Sequence, residues 1–201
     1  MKIGVFGGSF DPIHMGHMVL AEYVKDGLAL DKVVLIPAYE SPFKIGESNA
    51  DSLHRFKMVK LAAEGNSDFE VSDYELRKSE ISYTVDTLRA FREHVGHEHE
   101  IYFIAGTDSF LGMEKWKGAY ELFTEYSFAI GNRPGYMEDK LCTYADYLRE
   151  KYGTDIEIVK IPQIDLSSTE IRNRISVGRS IKYLVASGVE NYITENSLYK
   201  K

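Results

Sequence analysis

At 201 residues, 44% hydrophobic and 27% charged, the chain is long enough to bury about 70% of its unfolded surface as one domain without disulfide or metal staples. A formal net charge of −7 and a pI near 5.4 exclude nonspecific nucleic-acid binding, which needs an excess of Lys and Arg on one face. The single cysteine, Cys142, excludes an intramolecular disulfide; with no signal-peptide core and no apolar run near the roughly 18 residues of a membrane span, a cytoplasmic protein without a membrane partner is expected.

Short apolar runs alternate with segments of helical period, which predicts an α/β fold: an open, mostly parallel sheet with helices on both faces, in a single domain over residues 1–201. Residues 2–7 read as the first strand. A helix follows over 15–29, with Val19, Leu20, Tyr23 and Val24 as its apolar stripe. Val33 to Ile36 form a second strand ended by Pro37, and residues 37–50 are turn-rich and expected to be a mobile loop carrying Lys44. Helix is predicted at 52–64, where Phe56, Val59 and Ala63 line one face, then strand at 69–71 and helix at 85–95. Ile101 to Ala105 is the clearest buried strand and ends on Gly106. Strands at 127–130 and 156–160 flank a helix over 138–152, and 168–177 and 186–195 read helical.

The segment Gly7-Gly8-Ser9-Phe10-Asp11-Pro12-Ile13-His14-Met15-Gly16-His17 links the first strand to the first helix. Glycines there let the backbone approach a ligand, and a helix start offers unpaired N–H groups and partial positive charge, a combination suited to phosphate. His14 and His17, three apart, share a face and are able to point at one anion. A metal pair is the competing reading, but no third ligand of suitable spacing is visible. His94, His97 and His99 cluster in a polar stretch and read as a solvated loop able to catch adventitious metal. Ser167-Ser168-Thr169-Glu170 is a capping box, yet a capped helix still presents the N–H groups of Ser168 and Thr169, with Arg172 close by. Trp116, flanked by Glu114, Lys115 and Lys117, is expected at an edge where its indole offers a stacking face; a core position is the alternative. Gly8, Pro37, Gly106, Gly131 and the Ser-Ser-Thr block all fall just after predicted strands, the ends where open α/β sheets bind ligands.

These motifs resemble the His-x-Gly-His nucleotidyltransferase signature, and the longer form around His14 and His17 resembles bacterial nicotinate-nucleotide adenylyltransferases. Ile81 to Leu88, Gly106-Thr107-Asp108 to Trp116, and Asp165 to Arg172 match in order and spacing over nearly the whole chain. The resemblance implies a Rossmann-like fold and transfer of AMP from ATP to nicotinate mononucleotide in NAD biosynthesis, with Mg²⁺ held mainly by ATP phosphates and water. It implies His14, His17 and Arg172 as catalytic. ATP would meet Gly8, Ser9, Phe10, His14, His17, Gly106, Asp108, Ser167, Ser168, Thr169, Ile171 and Arg172. Nicotinate mononucleotide would meet Lys44, Tyr83, Thr84, Trp116, Lys117 and Arg133. A homo-oligomer is possible on this reading. A dehydrogenase is disfavoured, because Gly-x-Gly-x-x-Gly does not follow the first strand. Transferases with another acceptor, such as phosphopantetheine, are the nearer rival, against which the Tyr83-Thr84 and Trp116 elements count.

Overall fold

The computed structural model describes residues 1–43, 50–132 and 137–200. Lys44 and Arg133, both expected at the acceptor, lie outside the described residues, as do residues 44–49 of the predicted loop at 37–50. The strands are β1 (Lys2–Gly8), β2 (Lys32–Pro37), β3 (Phe69–Val71), β4 (Glu100–Gly106), β5 (Ser127–Asn132) and β6 (Ile156–Lys160). They form one parallel sheet in the order β3-β2-β1-β4-β5-β6. With right-handed crossovers, an order that starts in the middle and runs outward in both directions puts helices on both faces, as expected.

Within the single domain that we propose for residues 1–201, the chain forms two compact units, each made of separated segments. The first comprises residues 1–7, 19–34 and 83–163. Its centre is the run Ile101–Ala105, buried throughout, with β4 in register against β1 and β5 so that Phe103 lies beside Val5 and Phe128. The apolar pattern is continuous because both faces of a parallel strand are covered. Helix α1 (Met15–Leu28) contributes Leu20, Ala21 and Val24 to the packing. Tyr23, expected in that stripe, is instead 45% exposed, since Ala21 occupies the inward face and the larger ring turns to water.

The second unit comprises residues 8–18, 35–82 and 164–201. It holds α2 (Ser52–Ala63), α3 (Tyr74–Lys78), α8 (Ser168–Ser176) and α9 (Ser187–Glu195). Asp51 caps α2 by accepting from the His54 N–H at 2.8 Å. The buried face of α2 is Arg55, Met58, Val59 and Ala63, whereas Phe56, expected there, is half-buried. Arg55 displaces it because its guanidinium fills the interior with four of its five N–H donors bonded to carbonyls. Nη1 donates to the carbonyls of Ser9 and Ala38 (2.7 Å each), Nη2 to Tyr39 (2.7 Å) and Nε to Ala50 (3.2 Å).

The first unit also contains α4 (Thr84–Val95), α5 (Thr107–Phe110), α6 (Ala119–Glu125) and α7 (Glu138–Tyr152). Helices α3, α5 and α6 were not expected. Each is too short to present two turns of apolar period, so local pattern leaves no trace of them.

Candidate active site

In the second unit the glycine-rich loop enters α1 through His14, whose carbonyl accepts the N–H groups of His17 (2.9 Å) and Met18 (3.3 Å). The middle of the loop is inside: Phe10, Asp11, Ile13 and His14 are all buried. Phe10 takes a left-handed φ of 47° and sets its ring edge-on to His17 at 5.1 Å. That backbone region is costly for an aromatic residue and is retained where surrounding packing over-determines it.

The two histidines share a face, as the spacing predicts, but they meet each other first. Their rings stack with centroids 3.7 Å apart. The His14 N–H donates to His17 Nδ1 at 3.2 Å, so in the neutral ring the proton sits on Nε2 and His17 presents Nε2–H as its donor. Fewer main-chain donors remain than expected, because the Met15 N–H goes to the Leu184 carbonyl (2.9 Å). Gly16 is required by close approach: a Cβ there would lie 3.0 Å from His14 Nδ1, pressing on the ring. Among the described residues His14 Nδ1 is a buried polar atom without a hydrogen-bond partner.

Burial with nothing to stabilise the imidazolium pushes the His14 pKa down to about 4. Below about pH 6.5 the unfolded chain takes up a proton that the native ring refuses, so stability is full above that value and is lost as pH falls towards about 4. The loss amounts to about 3 kcal/mol. Urea unfolding at pH 4.5 and 7.5 is expected to show this component in the wild type and not in His14→Asn; equal pH dependence in both would refute the assignment.

The Ser-Ser-Thr block opens α8 in the same unit. Ser167 Oγ accepts from the Glu170 N–H at 3.1 Å, the predicted cap. Ser168 and Arg172 turn to the glycine-rich loop: Ser168 Oγ donates to the Pro12 carbonyl (2.8 Å) and Arg172 Nη1 to the Asp11 carbonyl (2.7 Å). Arg172 Nη2 reaches Thr169 Oγ1 at 3.2 Å. The two motifs, far apart in sequence, are thus one construction, and the free first-turn N–H groups of α8 belong to it. Ile171 is wholly buried, and its side chain seats the helix.

The first unit brings the other two motifs together. Lys117 Nζ pairs with Asp86 Oδ2 at 2.9 Å and lies 4.3 Å from the Tyr83 ring centroid, which fixes the start of α4, Tyr83-Thr84, beside Trp116-Lys117. Tyr83 caps α4 without a side-chain bond, leaving first-turn N–H groups of that helix without intrahelical acceptors. Trp116 is half-buried with its ring edge-to-face against Phe103 at 6.2 Å, intermediate between the edge and core readings. Gly106 ends β4 with open space where a Cβ would stand, and Asp108 is exposed. Thr107 is buried and donates towards Asn132 Oδ1 (3.2 Å) and the Gly131 carbonyl (3.3 Å).

Comparison with known proteins agrees over the full chain. Residues 5–174 match the cytidylyltransferase-like family model. A Thermoanaerobacter sp. protein named "Probable nicotinate-nucleotide adenylyltransferase" is 40% identical over 201 residues, covering 100% of this chain and 95% of that one. One of the same name from Caldicellulosiruptor bescii is 40% identical with both chains fully covered. The chain belongs to the nicotinate-nucleotide adenylyltransferase family. Plasmodium falciparum nicotinic acid mononucleotide adenylyltransferase complexed with NaAD superposes with a TM-score of 0.80 at 22% identity, covering 98% of this chain and 97% of that one, so the family fold is shared.

Sequence reasoning missed Arg55 and Tyr199. Tyr199 donates from its hydroxyl to Asp11 Oδ1 at 2.7 Å, and Arg55 holds the Ser9 carbonyl two residues earlier. Neither position carries a motif; only Arg55, a charge on an otherwise apolar helix face, left a signal. Among the described residues no group of three His, Cys, Asp or Glu side chains is placed to hold a metal, His94, His97 and His99 included. No helix among them is long and apolar enough to cross a membrane.

Proposed function

We propose that this protein transfers AMP from ATP to nicotinate mononucleotide, releasing pyrophosphate and forming nicotinate adenine dinucleotide in NAD biosynthesis. Full-length likeness to relatives of that name carries the reading, and the latched glycine-rich loop and α8 support it. An oxygen of the acceptor phosphate bonds to the α-phosphorus as the bond to the leaving pyrophosphate breaks, so no protein nucleophile is needed. The protein has to align two anions and offset charge in the transition state.

In this reading His17 Nε2–H donates to oxygens at the α-phosphate, and the buried neutral His14 keeps the His17 ring in place by stacking. Gly8, Ser9 and Phe10 shape the loop around the nucleotide. The α8 start with Ser167, Ser168, Thr169 and Arg172 holds the β and γ phosphates, Arg172 doing so while bonded to Asp11. Gly106 and Asp108 serve ribose and adenine. Mg²⁺ would enter with ATP, held mainly by its phosphates and by water, and would offset phosphate charge there. Trp116 covers the pyridine ring, and main-chain N–H groups near Thr84 and Lys117 receive its carboxylate. The protein works in the cytoplasm on small molecules only.

The test is pyrophosphate release from ATP with nicotinate mononucleotide, nicotinamide mononucleotide and phosphopantetheine offered separately. Nicotinate mononucleotide is expected to exceed the amide by at least about 10²-fold in kcat/KM, because the amide brings its own N–H₂ against buried donors. Trp116→Ala is expected to raise KM for both mononucleotides and leave their ratio largely intact, since stacking does not read the substituent. Equal efficiencies in the wild type would overturn the carboxylate site.

A further inference from the structure

Beyond α9 the chain turns back through Ser197 and Tyr199, both in left-handed backbone with φ of 51° and 63°. The turn is closed by the Ser197 N–H on the Thr194 carbonyl (3.2 Å) and the Leu198 N–H on the Ile193 carbonyl (3.0 Å). Such φ values are unfavourable for residues with a Cβ and call for something that holds the segment. The hydroxyl of Tyr199, 2.7 Å from Asp11 Oδ1, does so. Asp11 is 6% exposed and lies in the middle of the glycine-rich loop, three residues before His14.

Three groups therefore converge on two consecutive loop residues. Arg172 holds the Asp11 carbonyl, Ser168 the Pro12 carbonyl and Tyr199 the Asp11 side chain. Arg172 and Ser168 hold main-chain carbonyls of the loop, whereas Tyr199 holds the side chain of Asp11. We propose that Tyr199 is a positioning residue for adenylyl transfer, acting through Asp11 to aim the His14–His17 pair. Burial and the neighbouring Asp11 carboxylate both raise the Tyr199 pKa, so the phenol stays protonated and donates throughout the working pH range.

The proposal rests on the adenylyltransferase reading, and its test separates the two. Tyr199→Phe keeps the ring and removes the donor. Its kcat is expected to fall about tenfold, the rate equivalent of one hydrogen bond to a charged group, with KM for ATP and for nicotinate mononucleotide changed less than about twofold. Tyr192→Phe serves as control, since it removes a hydroxyl on α9 that lies 2.8 Å from His54 Nδ1 and is expected to leave kcat unchanged. The imidazole NMR signals of His14 and His17 are expected to move in Tyr199→Phe while those of His94 and His97 stay. This second readout needs no turnover, so it judges the positioning role even if the wild type proved inactive on nicotinate mononucleotide. A lowered Tm with unchanged kcat, or a lowered kcat with unmoved His14 and His17 signals, would overturn the proposal.

Discussion

The His17→Ala enzyme is expected to turn over about 10²-fold more slowly or worse with ATP and nicotinate mononucleotide, while its circular dichroism and Tm stay close to wild type. A preorganised donor to charge that develops in the transition state is commonly worth about 3 kcal/mol. His17 is preorganised in a specific way: its Nδ1 is occupied by the His14 N–H and its ring is clamped between the stacked His14 and the edge of Phe10. It is half-buried and bears no core packing comparable to Phe10, so its loss falls on the rate. Steady-state kinetics decides: near-normal kcat in a folded variant removes His17 from the mechanism.

Arg55→Met is expected to be the most destabilising single change, by about 3–5 kcal/mol, which corresponds to roughly 10 °C in Tm for a chain of this size. The substitution keeps the apolar stem but leaves the carbonyls of Ser9, Ala38, Tyr39 and Ala50 without their donor, and buried acceptors stripped of partners cost far more than a hydrogen bond gains. Burial lowers the Arg55 pKa, opposed by the charges of Asp11, Asp51 and Glu75, and removing the cation leaves the buried Asp11 and Glu75 without it. Arg55→Lys would recover only part of the loss, because one ammonium cannot span four carbonyls. Thermal unfolding of the three proteins measures both effects; a Tm for Arg55→Met within a few degrees of wild type would show the clamp to be dispensable.

The difference between these residues explains what could be read in advance. His17 stands in a contiguous motif whose glycines and histidines have a local reason to be together, and the strand before it and the helix after it show in hydrophobic period. Arg55 breaks the period of its own helix. Its partners lie 46, 17, 16 and 5 residues away, and no window of sequence contains them. Tyr199 and Asp11 are separated by 188 residues, so their bond is a property of the fold alone. The Ser-Ser-Thr block was legible as a cap, but not as the latch on Asp11 and Pro12. Lys117 was expected at the acceptor, and the pairing of its ammonium with Asp86 and Tyr83, which ties them to the tryptophan segment, was not legible.

The segmented make-up of the second unit also bears on how the protein is made. Its first piece, residues 8–18, leaves the ribosome early, while Ser168, Arg172 and Tyr199 belong to the last piece translated. Contacts this distant in sequence form slowly and late. A nascent chain stalled before about residue 165 would carry both histidines with none of these three braces, and folding during synthesis could not complete the loop. Activity in a translation reaction should then appear only once residues 164–201 have emerged, with no contribution from shorter nascent chains.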